Sequence, residues 1–457
     1  RRLVDAGAVG RFGLYEAVDH TPARVPAGEP FAIVRTWMAH HNGMCLLAFG
    51  HLLHGQPMQR RFMTDLRLKS AARLLQERVP LARPRIHPTV AMGETAGLPV
   101  GETFESISRS YDTPDTPVPD VHLLSNGRYH VMITNGGGGV SRWQGLNLTR
   151  WREDSAQDVH GFFFYLQEVG TGKTWSPTAR PLVADFDRYE AVFAQGGAEF
   201  QSVSQQFQSQ LKVVVCPEDD MELRQLTLTN LSRRARTIEI TSYAEPVMLA
   251  GRAEAAHPAF HKLFVTASTV RDKAALLFTR RPSSAGEHPP WMFHFLGVAG
   301  GLILRGPSYE TDRAAFIGRN RSVRNPAALD LPGPLPDRTG FTSDPAAAIR
   351  YRVRIEPGRS IQLNAFLGVA ATREAAEIYV DRCRDPRMAE RVFSLAWTRS
   401  QVFLHQLRIR ETDAQNYARL AGSLFFAGPH RRGRASIIAA NRKNQAALWS
   451  YGISGDR

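Results

Sequence analysis

The stretch LKVVVCPEDDMELRQLTLTNLSRRARTIEITSYAEPVM, Leu211–Met248, decides the fold class. Apolar and polar residues alternate through Gln225-Leu226-Thr227-Leu228-Thr229 and again through Ile238-Glu239-Ile240. A period of two is the mark of a strand with one face in a core. Pro217, Asp219, Asp220 and Asn230 interrupt the pattern, and such residues place turns.

The same pattern continues outward. GRYHVMIT (127–134), GFFFYLQEV (161–169) and AAIRYRVRIEPGRSIQLNAFLGVA (347–370) also read as strands. So many strands, separated by turn residues, predict a large antiparallel sandwich.

Beyond the strands the period changes. Met38, Cys45, Phe49 and Leu52 recur at helical spacing, and Leu46 and Leu53 widen the stripe, which predicts a buried helix over 35–53. A second helix is expected across MQRRFMTDLRLKSAARLLQERV (58–79), so residues 1–80 read as mainly helical. Two Pro-rich stretches, 79–101 and 111–120, mark a linker. Helices return over 372–407 and 413–428. The reading is a multi-domain α+β chain: helical 1–80, linker 81–118, sandwich 119–375, helical 376–457.

The net charge of +14 raises nucleic acid as a partner, but its distribution argues against one. The bases are mostly Arg, with six Lys in all, and are interleaved with acids, as in RWREDSAQD and PEDDMELRQ. A diffuse positive field suits anionic substrates such as phosphate or nucleotide sugars. Cys45, Cys216 and Cys383 form no zinc or disulfide pattern, which suits a reducing compartment. No apolar run approaches the ~18–20 residues of a membrane helix. Both ends, RRLVDAGAVGRFG and SYGISGDR, read as cuts in a longer protein.

Four motifs invite chemistry. GTGKTW (170–175) lacks the first glycine of a phosphate loop, Gln167 standing there, and reads as a hairpin turn. TNGGGGVSRW (134–143) permits close approach of a ligand to the backbone, or serves only as a tight connection between strands. His40 and His41 point about 100° apart on a helix and cannot chelate one ion together. His41 and Cys45 are four apart and His51 and His54 three apart, with no acidic or third ligand, so packing or hydrogen bonding to a polar ligand remains. Glu16, between apolar neighbours in GRFGLYEAVDHTPAR (10–24), suits a general acid or base, or a salt bridge to a nearby arginine.

Taken together, several long phrases resemble known families. GRFGLYEAVDHTPAR, FAIVRTWMAHHNGMCLLAF and AARLLQERVP resemble the end of the glycoamylase-like domain of cyclic β-1,2-glucan synthases. HLLSNGRYHVMITNGGGGVSRWQGLNLTRWRED, VVVCPEDDMELRQLTLTNLSRRARTIEITSYAE and AAHPAFHKLFV resemble the N-terminal sandwich of glycoside hydrolase family 94, which holds the cellobiose and chitobiose phosphorylases. NQAALWSYGISGD resembles the start of that family's catalytic barrel.

The resemblance implies a β-supersandwich flanked by parts of two (α/α)6 barrels. It implies an inner-membrane parent that builds β-1,2-glucan from UDP-glucose in a portion not in this chain. The glycoamylase-like portion would close the ring, and the family 94 portion would trim chains by phosphorolysis with inorganic phosphate as co-substrate. This segment would be soluble on the cytoplasmic side, hold no cofactor of its own, and allow a homodimer through the family 94 domain. By position, Glu16 matches a catalytic carboxylate whose partner would lie upstream of Arg1. His40 and His41 match a sugar-pocket motif in which one lines the pocket and the other packs, although Asn42 stands where the family has Gln. Asp456 matches an aspartate that binds glucose hydroxyls, although Ser450 replaces an arginine found in some phosphorylases. The resemblance places the family 94 general acid and phosphate-binding residues beyond Arg457, so the chain alone is expected to be inactive.

Two rivals remain. The sandwich is a carbohydrate-binding or structural module, with Trp143, Trp151 and Trp175 as sugar platforms or as core; or the chain comes from a soluble disaccharide phosphorylase, against which the segment before residue 80 argues.

Overall fold

The computed structural model describes residues 2–26, 28–65, 108–182, 185–282, 284, 286–427, 433–444 and 446–449. Two compact units emerge: Arg1–Glu102 with Ser284–Gly286 and Gly433–Arg457, and Thr103–Ser283 with Glu287–Arg432.

The smaller unit opens with a short helix, α1 (Arg2–Asp5). Two hairpins follow, β1 (Val9–Gly10) with β2 (Gly13–Leu14) and β3 (Ala17–Asp19) with β4 (Ala32–Val34). Then come α2 (Ala39–Leu53) and α3 (Pro57–Phe62). Residues 1–38 are therefore mostly ribbon rather than helix. Gly7 and Gly13 take positive φ of 73° and 102°, which a helix does not accept, and Pro22, Pro26 and Pro30 break any continuous run. Helix α2 forms as its spacing predicts but is not buried. Met44, Leu46, Phe49 and Leu52 stand 60–76% exposed. Ala8 is the only buried apolar residue among those described here, so the described part of this unit has no core to receive the stripe. Residues 66–107, with most of the second expected helix and most of the linker, lie outside the described residues.

The larger unit is the predicted antiparallel sandwich. A ten-stranded sheet runs β22 (Gly340–Phe341), β18 (Val265–Val270), β19 (Ala275–Arg280), β20 (Trp291–Ala299), β24 (Ser360–Ala370), β15 (Met221–Asn230), β14 (Phe207–Val215), β13 (Gly197–Ser204), β12 (Arg188–Ala194), β5 (Arg109–Tyr111). The edge strand β5 falls inside the stretch read as linker. One five-stranded sheet runs β11 (Thr174–Trp175), β10 (Phe163–Glu168), β16 (Arg236–Ala244), β23 (Pro345–Ile355), β21 (Leu302–Asp312). The other runs β17 (Pro246–Ala250), β9 (Leu146–Thr149), β8 (Gly139–Trp143), β7 (Tyr129–Thr134), β6 (Val121–Ser125).

One core joins all three sheets. Leu226 and Leu228 of β15, Ile238 and Ile240 of β16, and Val131 and Ile133 of β7 are buried in it. Each such side chain contributes about 1.5–3 kcal/mol by leaving water. The Lys-containing GTGKTW stretch is the hairpin turn between β10 and β11, and the tetraglycine stretch joins β7 to β8.

The ten-stranded sheet buries its other face under α4 (Arg373–Cys383) and α5 (Pro386–Leu407). Three shorter helices, 251–256, 258–262 and 313–317, lie within the sandwich. The break between α4 and α5 is local chemistry: Asp385 accepts the Arg387 backbone N–H, and Pro386 occupies the first turn, where its missing N–H costs nothing. Val380, Cys383, Met388 and Val392 meet Leu223, Phe293 and Phe366 of the sheet. Helix α6 (Glu411–Gly422) packs beside β6. Among the described residues no helix is long and apolar enough to cross a membrane.

Candidate functional site

Glu16 lies between β2 and β3 of the smaller unit. Its backbone N–H donates to the Val34 and Thr36 carbonyls at 3.2 and 3.1 Å, which ties it to the strand leading into α2. That strand delivers His41, in the first turn of α2, to the carboxylate: His41 Nδ1 is hydrogen bonded to Glu16 Oε1. The Glu16 side chain is 14% exposed and that of His41 47%. A proton on Nδ1 fixes the tautomer of the neutral ring and leaves Nε2 as an acceptor. His40 packs its ring on His41, with centroids 4.0 Å apart. The arginine partner considered for Glu16 goes elsewhere, Arg24 lying 3.8 Å from Asp19. Asp19 itself holds a turn by accepting the Thr21 backbone N–H.

The aromatic residues beside Glu16 are pressed together. Tyr15 and Trp37 have centroids 4.8 Å apart, and Phe12 meets the Trp37 edge at 5.3 Å. A Cβ on Gly10 would lie 2.6 Å from both Trp37 and Tyr15, so only glycine permits this packing. The arrangement offers a partly shielded carboxylate next to an exposed imidazole and an aromatic wall, a set that can hold and move a proton.

Asp456 lies outside the described residues. The tryptophans considered as sugar platforms are engaged: Trp175 is in the core, Trp143 donates to Asp220 at 2.7 Å, and Trp151 meets Phe425 and Phe426 edge-on.

Charge buried in the sandwich was not visible in sequence. Glu222 accepts from Arg224 Nε at 2.9 Å, from Tyr129 Oη at 3.2 Å and from Ser141, and Arg224 also donates to the Phe162 carbonyl at 2.6 Å. Glu245 accepts from Arg150 and Arg313, each at 2.6 Å, and from Tyr243 at 2.8 Å. Burial pushes the Glu245 carboxyl up, but the two guanidinium groups outweigh that and hold it below the usual range. Glu239 bonds Arg352 at 2.5 Å and lies 3.5 Å from Arg350. The Arg150–Glu245 partners are 95 residues apart, so no local spacing could have paired them. Glu222 thus ties β15 to Tyr129 of β7, and Glu239 of β16 is tied to Arg350 and Arg352 of the neighbouring strand β23.

The family model described as "Glycosyl hydrolase 94, supersandwich domain" matches residues 105–386. A cyclic beta-(1,2)-glucan synthase, NdvB, of Rhizobium meliloti (strain 1021) is 33% identical over 455 residues, which is 100% of this chain and 16% of that protein. A 3-O-beta-D-glucopyranosyl-beta-D-glucuronide phosphorylase of Paenibacillus borealis is 24% identical over 59% of this chain and 33% of its own length. An N,N'-diacetylchitobiose phosphorylase of Vibrio furnissii is 23% identical over 58% of this chain and, again, 33% of that enzyme. The chain thus spans a sixth to a third of the relatives it matches. Through its antiparallel supersandwich, this chain belongs to the glycosyl hydrolase 94 family.

Proposed function

We propose that the chain is a segment of a cyclic β-1,2-glucan synthase that takes part in ring closure by transglycosylation and in phosphorolytic control of chain length. The observation that carries this reading is coverage. The synthase relative aligns over the whole chain, both units included, whereas the two phosphorylases align over 58–59%. A soluble phosphorylase leaves the smaller unit unaccounted for.

In this reading the smaller unit is the tail of a glycoamylase-like (α/α)6 barrel, and the exposed stripe of α2 packs against the rest of that barrel. Glu16 is one of its two reacting carboxylates, oriented by His41, with His40 behind. Residues from 376 onward lead into a second (α/α)6 barrel, where Asp456 takes up sugar hydroxyls and phosphate enters as co-substrate. The partner is a β-glucan; the parent sits in the bacterial inner membrane with this segment on the cytoplasmic side, and a homodimer forms through the family 94 portion.

The test is made in the full-length synthase. Glu16→Gln lowers cyclic product by about 10²–10⁴-fold, the range for removing an acid–base group, and leaves phosphorolysis intact. Unchanged ring formation would sink the assignment. The purified chain alone should release no glucose 1-phosphate from β-1,2-glucan and phosphate, and release would refute its reading as an inactive segment.

A further inference from the structure

The tetraglycine turn has a use beyond joining two strands. A Cβ on Gly138 would lie 2.2 Å from Asp158 Oδ1, and one on Gly137 would lie 2.5 Å from Thr178. The turn is bare because side chains are pressed against it. Asp158 is 6% exposed and takes a positive φ of 48°. Its Oδ2 accepts from Thr134 Oγ1 at 2.5 Å. Among the described residues Oδ1 accepts no hydrogen bond, and no ion pair neutralises the group. Burial pushes this carboxyl up to about 6, against the smaller opposing effects of Thr134 and Arg180. Backbone strain and an unpaired buried charge are both costs to the fold, and such costs persist where a ligand needs the group.

A cavity of about 190 Å³ opens beside this carboxylate, lined among others by Asp158, Arg180, Asn135, Thr116, Asp115 and Ser155. Arg180 is held to the turn by its backbone N–H, which donates to the Gly136 carbonyl at 2.9 Å. Its Nε is buried without a partner, and its guanidinium makes no ion pair among the described residues. Asn135 fixes one wall, donating to Thr116 Oγ1 at 3.1 Å and accepting the Asp120 backbone N–H at 3.0 Å. A carboxylate oxygen and a guanidinium thus face one small polar cavity without an ion pair between them among the described residues.

That lining selects its ligand. An anion drawn to Arg180 meets Asp158 and Asp115; a cation drawn to the carboxylates meets Arg180. A neutral ligand that both donates and accepts hydrogen bonds suits both. The volume lies below the ~300–1,000 Å³ of drug-sized pockets, so the ligand is one ring and not a chain. We propose that this pocket binds a single neutral hexopyranosyl unit, whose hydroxyls donate to Asp158 Oδ1 and accept from Arg180. The class of ligand follows from the pocket; its identity as a glucosyl residue of β-1,2-glucan rests on the function proposed above. The pocket would then anchor a glucan chain on the sandwich.

The experiment titrates the full chain with a β-1,2-linked gluco-oligosaccharide of defined length, with glucose, with mannose and with inorganic phosphate, by calorimetry and ligand-observed NMR. Asp158→Asn keeps the shape and the Thr134 bond; Arg180→Met keeps the length of the side chain. Each variant should weaken oligosaccharide binding about tenfold or more, the loss of one charge-assisted hydrogen bond. Asp158→Asn should hold or raise the thermal midpoint, which separates lost binding from lost folding. Binding that survives in both variants overturns the proposal, as does the absence of any sugar binding at tens of millimolar. A response to mannose but not to the β-1,2-glucan, lost in both variants, upholds the hexose pocket and counts against the synthase reading.

Discussion

Replacing Glu222 by Leu should destabilise the sandwich sharply, and the structure sets the size. Both Glu222 and Arg224 are essentially without solvent contact. Removing one member of such a pair leaves the other as an uncompensated buried charge, which costs about 3–5 kcal/mol. Arg224 keeps two supports, the Phe162 carbonyl at 2.6 Å and the Phe162 ring at 4.9 Å, so the lower half of that range applies. Tyr129 and Ser141 lose an acceptor as well, although Tyr129 retains the Leu367 carbonyl at 3.0 Å. At about 2 °C per kcal/mol for a unit of this size, the sandwich transition drops by roughly 6–8 °C in scanning calorimetry. The double variant Glu222→Leu, Arg224→Met removes both charges and should recover most of the loss, because buried pairs exchange for apolar residues at little net cost. Two results would refute the reasoning: a single variant within about 2 °C of the parent, or a double variant worse than the two singles combined.

The remaining predictions concern protonation, thiols and the Glu16 contact. Burial holds His294 at about 4 and His122 at about 3, so both are neutral in the fold. Below pH ~6.5 the unfolded chain takes up protons that the fold refuses, so stability is full above that pH and falls as the pH drops toward 4. His294→Gln should flatten the urea midpoint between pH 4 and 6.5, and an unchanged slope would count against the assignment. Cys216 and Cys383 are buried, with thiols pushed up by burial, while Cys45 is exposed. Native protein should therefore show one fast-labelling thiol, at Cys45, and Cys45→Ser should abolish it. In the full-length protein, if it closes rings as proposed above, His41→Ala should cost ring formation more than His40→Ala does, since of the two only His41 is hydrogen bonded to Glu16; equal losses would argue that the two histidines act together.

The strands were legible because a sandwich buries one face of each, and that geometry writes itself at a period of two. Strand β13 alternates half-buried and buried residues along its whole length. Pairing was not legible. Strand β15 lies between β14, its neighbour in sequence, and β24, which sets Leu226 opposite both Leu211 and Leu363. No local pattern encodes a partner more than a hundred residues away. The candidate site was half legible. Glu16 and His41 each drew notice for its own neighbours, but the 25 residues between them hid the contact that β3, β4 and the start of α2 create. In sequence Asp158 is one acid among the interleaved charges of RWREDSAQD, and the glycine turn that admits it lies some twenty residues earlier.

The buried acids divide by what surrounds them, and that division separates scaffold from site. Glu222 meets Arg224, Glu239 meets Arg350 and Arg352, and Glu245 meets Arg150 and Arg313. In each, the carboxylate is paired with at least one guanidinium. Asp158 differs from these three: similarly buried, it has a hydroxyl partner, no ion pair among the described residues, and an oxygen left over beside a cavity. Those three carboxylates hold strands together through paired charge, which Asp158 does not do. Converting Asp158 to Asn should therefore leave the sandwich at least as stable while removing its hold on a sugar, the reverse of what the same change at Glu222 would do.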